Sequence, residues 1–118
     1  MVIDLMLGIL VVWLVTSVSL FIISKVPFIG VEIVSFEKAM ISAAVFGILN
    51  AILGGILRFL ALPFNFLTLG LVFFLINAFI FGLAAKLVEG FRLKNGIASA
   101  ILGALALSIL NSLIFRIL

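Results

Sequence analysis

Four stretches of apolar sequence, each near the roughly 20 residues a helix needs to cross hydrocarbon, leave this chain few ways to fold. They run from about Leu5 to Ser24, from Ala39 to about Ala61, from Phe66 to Ala85 and from Ile97 to Leu118. Hydrocarbon offers no partner to a backbone N–H or C=O, so each run has to be helical. A transmembrane barrel would show segments that alternate polar and apolar residues, and these runs do not alternate. Composition agrees with this reading. Of 118 residues, 68% are hydrophobic and 9% charged, against about 45–50% and about 25% in soluble domains. A soluble domain this small buries too little of its surface to hide that much apolar area. The expectation is an all-α membrane protein with four transmembrane helices, forming a single transmembrane domain over residues 1–118. The first run has Asp4 where a signal peptide carries basic residues and no small-x-small site behind it, so it reads as a retained helix.

The chain repeats itself. A shift of 61 residues lays Lys25 on Lys86, Ala39 on Ala100, Ala43 on Ala104 and Asn50 on Asn111. The phrase G-I-L-N-A-I-L at Gly47 to Leu53 falls on S-I-L-N-S-L-I at Ser108 to Ile114. In the loops Lys25–Lys38 and Lys86–Gly96, V-P-F-I-G-V of the first is echoed by L-V-E-G-F of the second with one residue deleted, and V-E-I-V-S-F in the first alternates like a short extended piece. Each unit (about residues 5–61 and 66–118) holds two helices, an even number, so both copies enter the membrane from the same side. That predicts two parallel-repeat helical hairpins rather than the inverted repeat of many transporters.

In lipid, small residues four apart let helices approach closely. Ala43, Gly47, Ala51 and Gly55 form such a stripe on the second helix, and Ala100, Ala104, Ser108 and Ser112 form its counterpart on the fourth. The two stripes are expected to meet near a two-fold axis along the membrane normal, although a second copy of the chain would suit them as well. The polar groups inside the spans are Asn50, Asn77 and Asn111, with Arg58 and Arg116 near helix ends. Interhelical hydrogen bonding is the expected role of the amides, at about 0.6 kcal/mol each, and a polar seam for water or ions is the alternative. The arginines are placed to snorkel.

Between the second and third runs, Pro63 is expected to end one helix. Asn65 is then expected to cap the next, with Thr68 three residues on. G-I-L-N-A-I-L followed by L-P-F-N-F-L-T-L-G-L, Leu62 to Leu71, resembles the signature of the phage holin family 4 group, the mycobacterial-type four-helix holins of superfamily IV. The resemblance covers nearly the whole chain. Members commonly carry Arg-Pro shortly after the N-A-x-x step, where this chain has Gly54-Gly55 and places its arginine at Arg58. The resemblance implies a bacterial plasma-membrane protein and, by the family's name, proteins that accumulate and open membrane lesions. No catalytic or ligand-binding residue travels with it.

With no cysteine and no histidine, the commonest zinc and haem ligand sets are missing, so no metal or cofactor is expected. Enzyme chemistry needs a nucleophile, an acid–base pair or a metal, and the mid-span polar groups are amides and hydroxyls. The net charge of +3 is scattered, not the clustered patch nucleic acid requires. Lys25, Lys38, Lys86, Arg92 and Lys94 lie on one side, against Arg58, Arg116 and the amino terminus on the other. This places the two long loops in the cytoplasm and both termini outside. The favoured function is a structural or accessory membrane protein, packing with itself as a homo-oligomer or with a larger membrane complex. The alternatives are a pore former and, last, a small-solute or ion transporter. A pore through single helices would show a continuous hydrophilic stripe, which neither the second nor the fourth helix has.

Overall fold

The computed structural model describes residues 1–68 and 70–117. Helix α1 (Val2–Ile23) leads through a 3-10 turn (Pro27–Ile29) into strand β1 (Val31–Ile33). Helix α2 (Phe36–Leu49) passes through a π turn (Asn50–Gly54) directly into α3 (Gly55–Leu67). Helix α4 (Leu71–Leu87), strand β2 (Phe91–Leu93) and helix α5 (Ile97–Ile117) complete the chain. Helices α1, α2–α3 and α5 are long and apolar enough to cross a membrane, and α4 is a shorter apolar helix of 17 residues. These are the four expected spans, helical because a single apolar segment closes its backbone hydrogen bonds within itself only as a helix.

Two boundaries differ from the sequence reading. The second span is a continuous helix of 32 residues, Phe36–Leu67, and the third starts at Leu71 rather than Phe66. Pro63 therefore lies inside α3 and does not end it. Proline there forfeits one bond and crowds the carbonyl four residues back, at about 3 kcal/mol. The helix runs through Pro63 nonetheless, and its final turn carries the Asn65 and Thr68 side chains that bond the start of α4. Its actual end is set by Gly70 (φ 93°). The Gly70 N–H donates to the Asn65 carbonyl at 3.1 Å across the turn, in a left-handed conformation that glycine adopts without strain.

Asn65 and Thr68 still serve the third span, from outside it. Asn65 Oδ1 accepts the Phe73 N–H at 3.0 Å and Thr68 Oγ1 accepts the Val72 N–H at 3.4 Å. Two of the four donors that every helix start leaves open are thus taken by the final turn of the helix before. The spacing of Asn65, Thr68 and Gly70 in L-P-F-N-F-L-T-L-G-L follows from this geometry; nothing in it calls for Pro63.

The two long loops meet. Strands β1 and β2 pair antiparallel, Val31 opposite Leu93, Glu32 opposite Arg92 and Ile33 opposite Phe91. Past the strand ends the Val34 N–H donates to the Gly90 carbonyl at 3.0 Å, and the Lys94 N–H to the Gly30 carbonyl at 2.7 Å. One loop was expected to be extended, and the second supplies the partner that makes it a strand. Helix α2 starts beside this clasp because Ser35 Oγ accepts the Lys38 N–H at 3.2 Å, with Glu37 in the first turn favouring the positive helix end.

The core lies under the clasp. Phe81 is its centre, fully buried, with its ring edge-to-face on Phe46 (centroids 5.9 Å apart) and on Phe91 (5.3 Å). Around it pack Leu20 and Ile23 of α1, Ala39 and Ala43 of α2, and Ala104 and Leu107 of α5. Gly103 lets α5 close on that ring, since a Cβ there would stand 2.7 Å from Phe81 Cε1. Buried Ser17 and Ser42 donate back to the carbonyls four residues earlier, Trp13 and Lys38, both at 2.7 Å. That use of a hydroxyl leaves the helix surface flat enough for close packing.

Helix α2 packs on α1 and α4, and α5 packs on α4 and α1. The α2 and α5 stripes thus stand on a diagonal of the bundle and do not meet as expected. Ala43, Ala100 and Ala104 are buried in the bundle, whereas Gly47, Ala51, Gly55, Ser108 and Ser112 face outward. Consecutive helices pack side by side, which puts every second helix across the diagonal.

Candidate functional site

The polar groups inside the spans fall into two sets with opposite hydrogen-bonding outcomes. Asn111, in the last third of α5, reaches α1. Ser19 Oγ donates to Asn111 Oδ1 at 2.7 Å, and Asn111 Nδ2 donates to Thr16 Oγ1 at 3.2 Å. Thr16 and Ser19 are three apart and so share one helix face. Both are buried, and the amide lies where it can serve both. Neither hydroxyl was singled out as a site residue from sequence; their i, i+3 spacing opposite an asparagine was the available signal. On the same helix Trp13 Nε1 donates to the Met40 carbonyl at 2.8 Å, tying α1 to α2.

Asn50 begins the π turn, and its Oδ1 is buried with no hydrogen-bond partner. Gly54 explains the crowding there. A Cβ on Gly54 would lie 2.6 Å from Arg58 Nη1, 2.9 Å from Asn50 Oδ1 and 3.4 Å from Ile80 Cδ1. Amide, guanidinium and the α4 side chain thus converge on the one position that has no side chain. Arg58 is half-buried and lies against the bundle there. Counting 61 residues on from Ser19 and Thr16 reaches Ile80 and Asn77. Where Asn111 meets a hydroxyl, Asn50 meets isoleucine, so its acceptor goes unanswered. Asn77 is half-buried on α4, three residues before Ile80.

The two amides are expected to respond differently to removal. Asn111→Leu breaks two bonds and leaves two buried hydroxyls to re-pair, for a loss of about 1–2 kcal/mol. Asn50→Leu removes an acceptor that already lacks a partner and should leave stability unchanged or slightly raised. Unfolding of both variants in mixed micelles checks this, and equal losses would contradict the assignment.

Among the described residues no three His, Cys, Asp or Glu side chains gather to hold a metal ion. The site is one of amides, hydroxyls and one guanidinium, set within helices whose order, spacing and central turn motif are now in view. The sequence pattern of the mycobacterial four-TMS phage holins, superfamily IV, matches residues 7–113. The chain belongs to that family. As a member of the four-TMS holins it is a four-span, all-α membrane protein. The matched stretch takes in the Asn50 and Asn111 positions, the α3–α4 turn and the strand clasp. No curated protein and no solved structure matches this holin-family chain.

Proposed function

We propose that this chain is a non-enzymatic, multi-pass resident of the bacterial plasma membrane that acts by associating with copies of itself or with a larger membrane complex. The observation that carries the reading is the outward face of α2 and α3. A Cβ on Gly47 or on Gly55 would meet nothing within 4 Å, and Ala51 between them is exposed. Small residues at this spacing draw helices together in lipid, and the bundle does not use them. The basic residues of the joined loops support a cytoplasmic clasp. The reciprocal bonds Val34 to Gly90 and Lys94 to Gly30 support reading the chain as two copies of one hairpin about a two-fold axis.

A pore formed between copies is the second reading, favoured by the orphaned Asn50 Oδ1. That acceptor is buried beside Gly54, against Ile80 of α4, and water admitted as helices part to line an opening between copies would satisfy it. One experiment separates the two. Cells induced for the wild type or for Gly47→Leu, Ala51→Leu are cross-linked and, in parallel, exposed to an impermeant dye. Packing predicts cross-linked oligomers for the wild type, monomers for the variant, and dye exclusion in both. Dye entry that vanishes in the variant would establish the pore instead, and oligomers that survive in the variant would remove the stripe from either account.

A further inference from the structure

The two hairpins differ where a 61-residue shift would make them alike. In the first, Phe21 fills the space between α1 and α2, packing edge-to-face on Phe36 with centroids 5.5 Å apart. Lys25 Nζ caps that ring at 4.8 Å from its centroid. Sixty-one residues on, Phe21 becomes Gly82, Phe36 becomes Ile97 and Lys25 becomes Lys86. Two rings are gone and the lysine remains. The space they would have filled is a groove of about 750 Å³ between α4 and α5.

The groove has a lengthwise polarity. Its deep end is walled by Leu75 and Phe79 of α4 and Ile101 of α5, and Gly82 and Ala100 line its middle. Lys86 and Arg92 line its other end, beside the strand clasp, and no acidic side chain is among the residues that line it. From Leu75 to Lys86 the helix rises about 16 Å at 1.5 Å per residue, close to half of the roughly 30 Å hydrocarbon thickness. An acyl chain occupies one leaflet's depth, and its headgroup lies at the interface. Two cations at the mouth of an apolar trough fit a phosphate-bearing headgroup above a hydrocarbon tail, basic residues beside spans being the usual partners of anionic lipid.

We propose that the α4–α5 groove holds one anionic phospholipid of the surrounding membrane, its acyl chain along Leu75, Phe79 and Ile101 and its phosphate between Lys86 and Arg92. The α1–α2 side binds none, because Phe21 fills the equivalent space. The proposal is independent of the self-association reading, since Gly47, Ala51 and Gly55 take no part in the groove.

The test is native mass spectrometry of the detergent-solubilised full chain, titrated with phosphatidylglycerol or with phosphatidylcholine of the same acyl composition. The wild type is expected to hold one phosphatidylglycerol per chain, at least tenfold more tightly than phosphatidylcholine. Gly82→Phe places in the groove the ring that the first hairpin carries. Its Cβ position is only 3.7 Å from Ala100 Cβ and 4.0 Å from Leu93 Cδ1, ordinary contact, so the helix pair itself is not forced apart. This variant is expected to lose the adduct while keeping the wild-type melting temperature. Lys86→Gln, Arg92→Gln leaves the groove open and is expected to bind both lipids equally and weakly, which keeps the proposal testable should Gly82→Phe not fold. Equal retention of both lipids by the wild type, or an undiminished phosphatidylglycerol adduct in a folded Gly82→Phe, overturns the proposal.

Discussion

Replacing Phe81 with alanine is expected to cost about 3 kcal/mol, the largest loss from any single truncation in the core. Buried Phe→Ala changes in water-soluble proteins cost about 3–5 kcal/mol through transfer and cavity terms together. In a bilayer the separated helices face hydrocarbon rather than water, so the transfer part shrinks and lost packing dominates. Phe81 is fully buried and touches α2 through Phe46, β2 through Phe91 and α5 at Gly103. Its removal therefore loosens three elements at once. Phe79, two residues earlier and 59% exposed, is the control, and its alanine variant should stay within about 0.5 kcal/mol of wild type. Gly103→Ala alone drives a methyl into the Phe81 ring and against Val31 Cγ2, which would stand 2.9 Å away. Combined with Phe81→Ala, it should cost less than the sum of the two. Reversible unfolding in mixed micelles measures all four variants. A Phe81→Ala loss no larger than that at Phe79 would mean the helices do not close on this ring.

Gly30→Val is expected to open the clasp between the two loops and to cost about as much as the loss of Phe81. Gly30 sits at φ 81°, a region that costs an L-residue about 1–2 kcal/mol, more for a β-branched one. Its Cβ would also fall on Ser99 Oγ. Ser99 is fully buried and its hydroxyl accepts the Asn95 N–H at 3.0 Å, so it cannot swing aside without losing that bond. The Gly30 carbonyl in turn holds the Lys94 N–H at 2.7 Å. Gly96 separates strain from crowding. It too is left-handed, at φ 59°, but a Cβ there meets nothing within 4 Å. Gly96→Val should show the strain alone. Hydrogen exchange at the Lys94 and Val34 amides should accelerate in Gly30→Val and stay slow in Gly96→Val. Equal effects at the two glycines would mean that Ser99 does not restrict the position.

Much of the architecture was legible because a bilayer narrows the choices. An apolar run of about twenty residues must become a helix whatever it packs against, so the existence of all four spans could be read residue by residue. The start of the fourth at Ile97 could be read too. The end of the second span could not. Pro63 is a strong stop signal, but the helix runs through it and the stop passes to Gly70, whose left-handed backbone suits glycine alone. Asn65 and Thr68 were recognised as turn residues, yet their bonds run to Phe73 and Val72, on the far side of the turn.

The sequence by itself determined the solvent, the four helices, and the two lysine-rich loops that lie at one end. Those properties follow from local composition and from the hydrogen bonds each helix closes internally. Only the tertiary structure decided which small residues are packed and which are free. Ala43 and Gly47 carry the same spacing signal, yet only Ala43 is covered, because the diagonal placement of α2 and α5 turns one end of each stripe inward. It also decided which amide is satisfied. Asn50 and Asn111 occupy matching sequence contexts, and they part company because the facing helix offers Ile80 to one and Ser19 with Thr16 to the other. The i, i+3 spacing of Thr16 and Ser19 marks a polar face, but their partner lies 95 and 92 positions away, and packing geometry alone decides which amide comes within bonding distance.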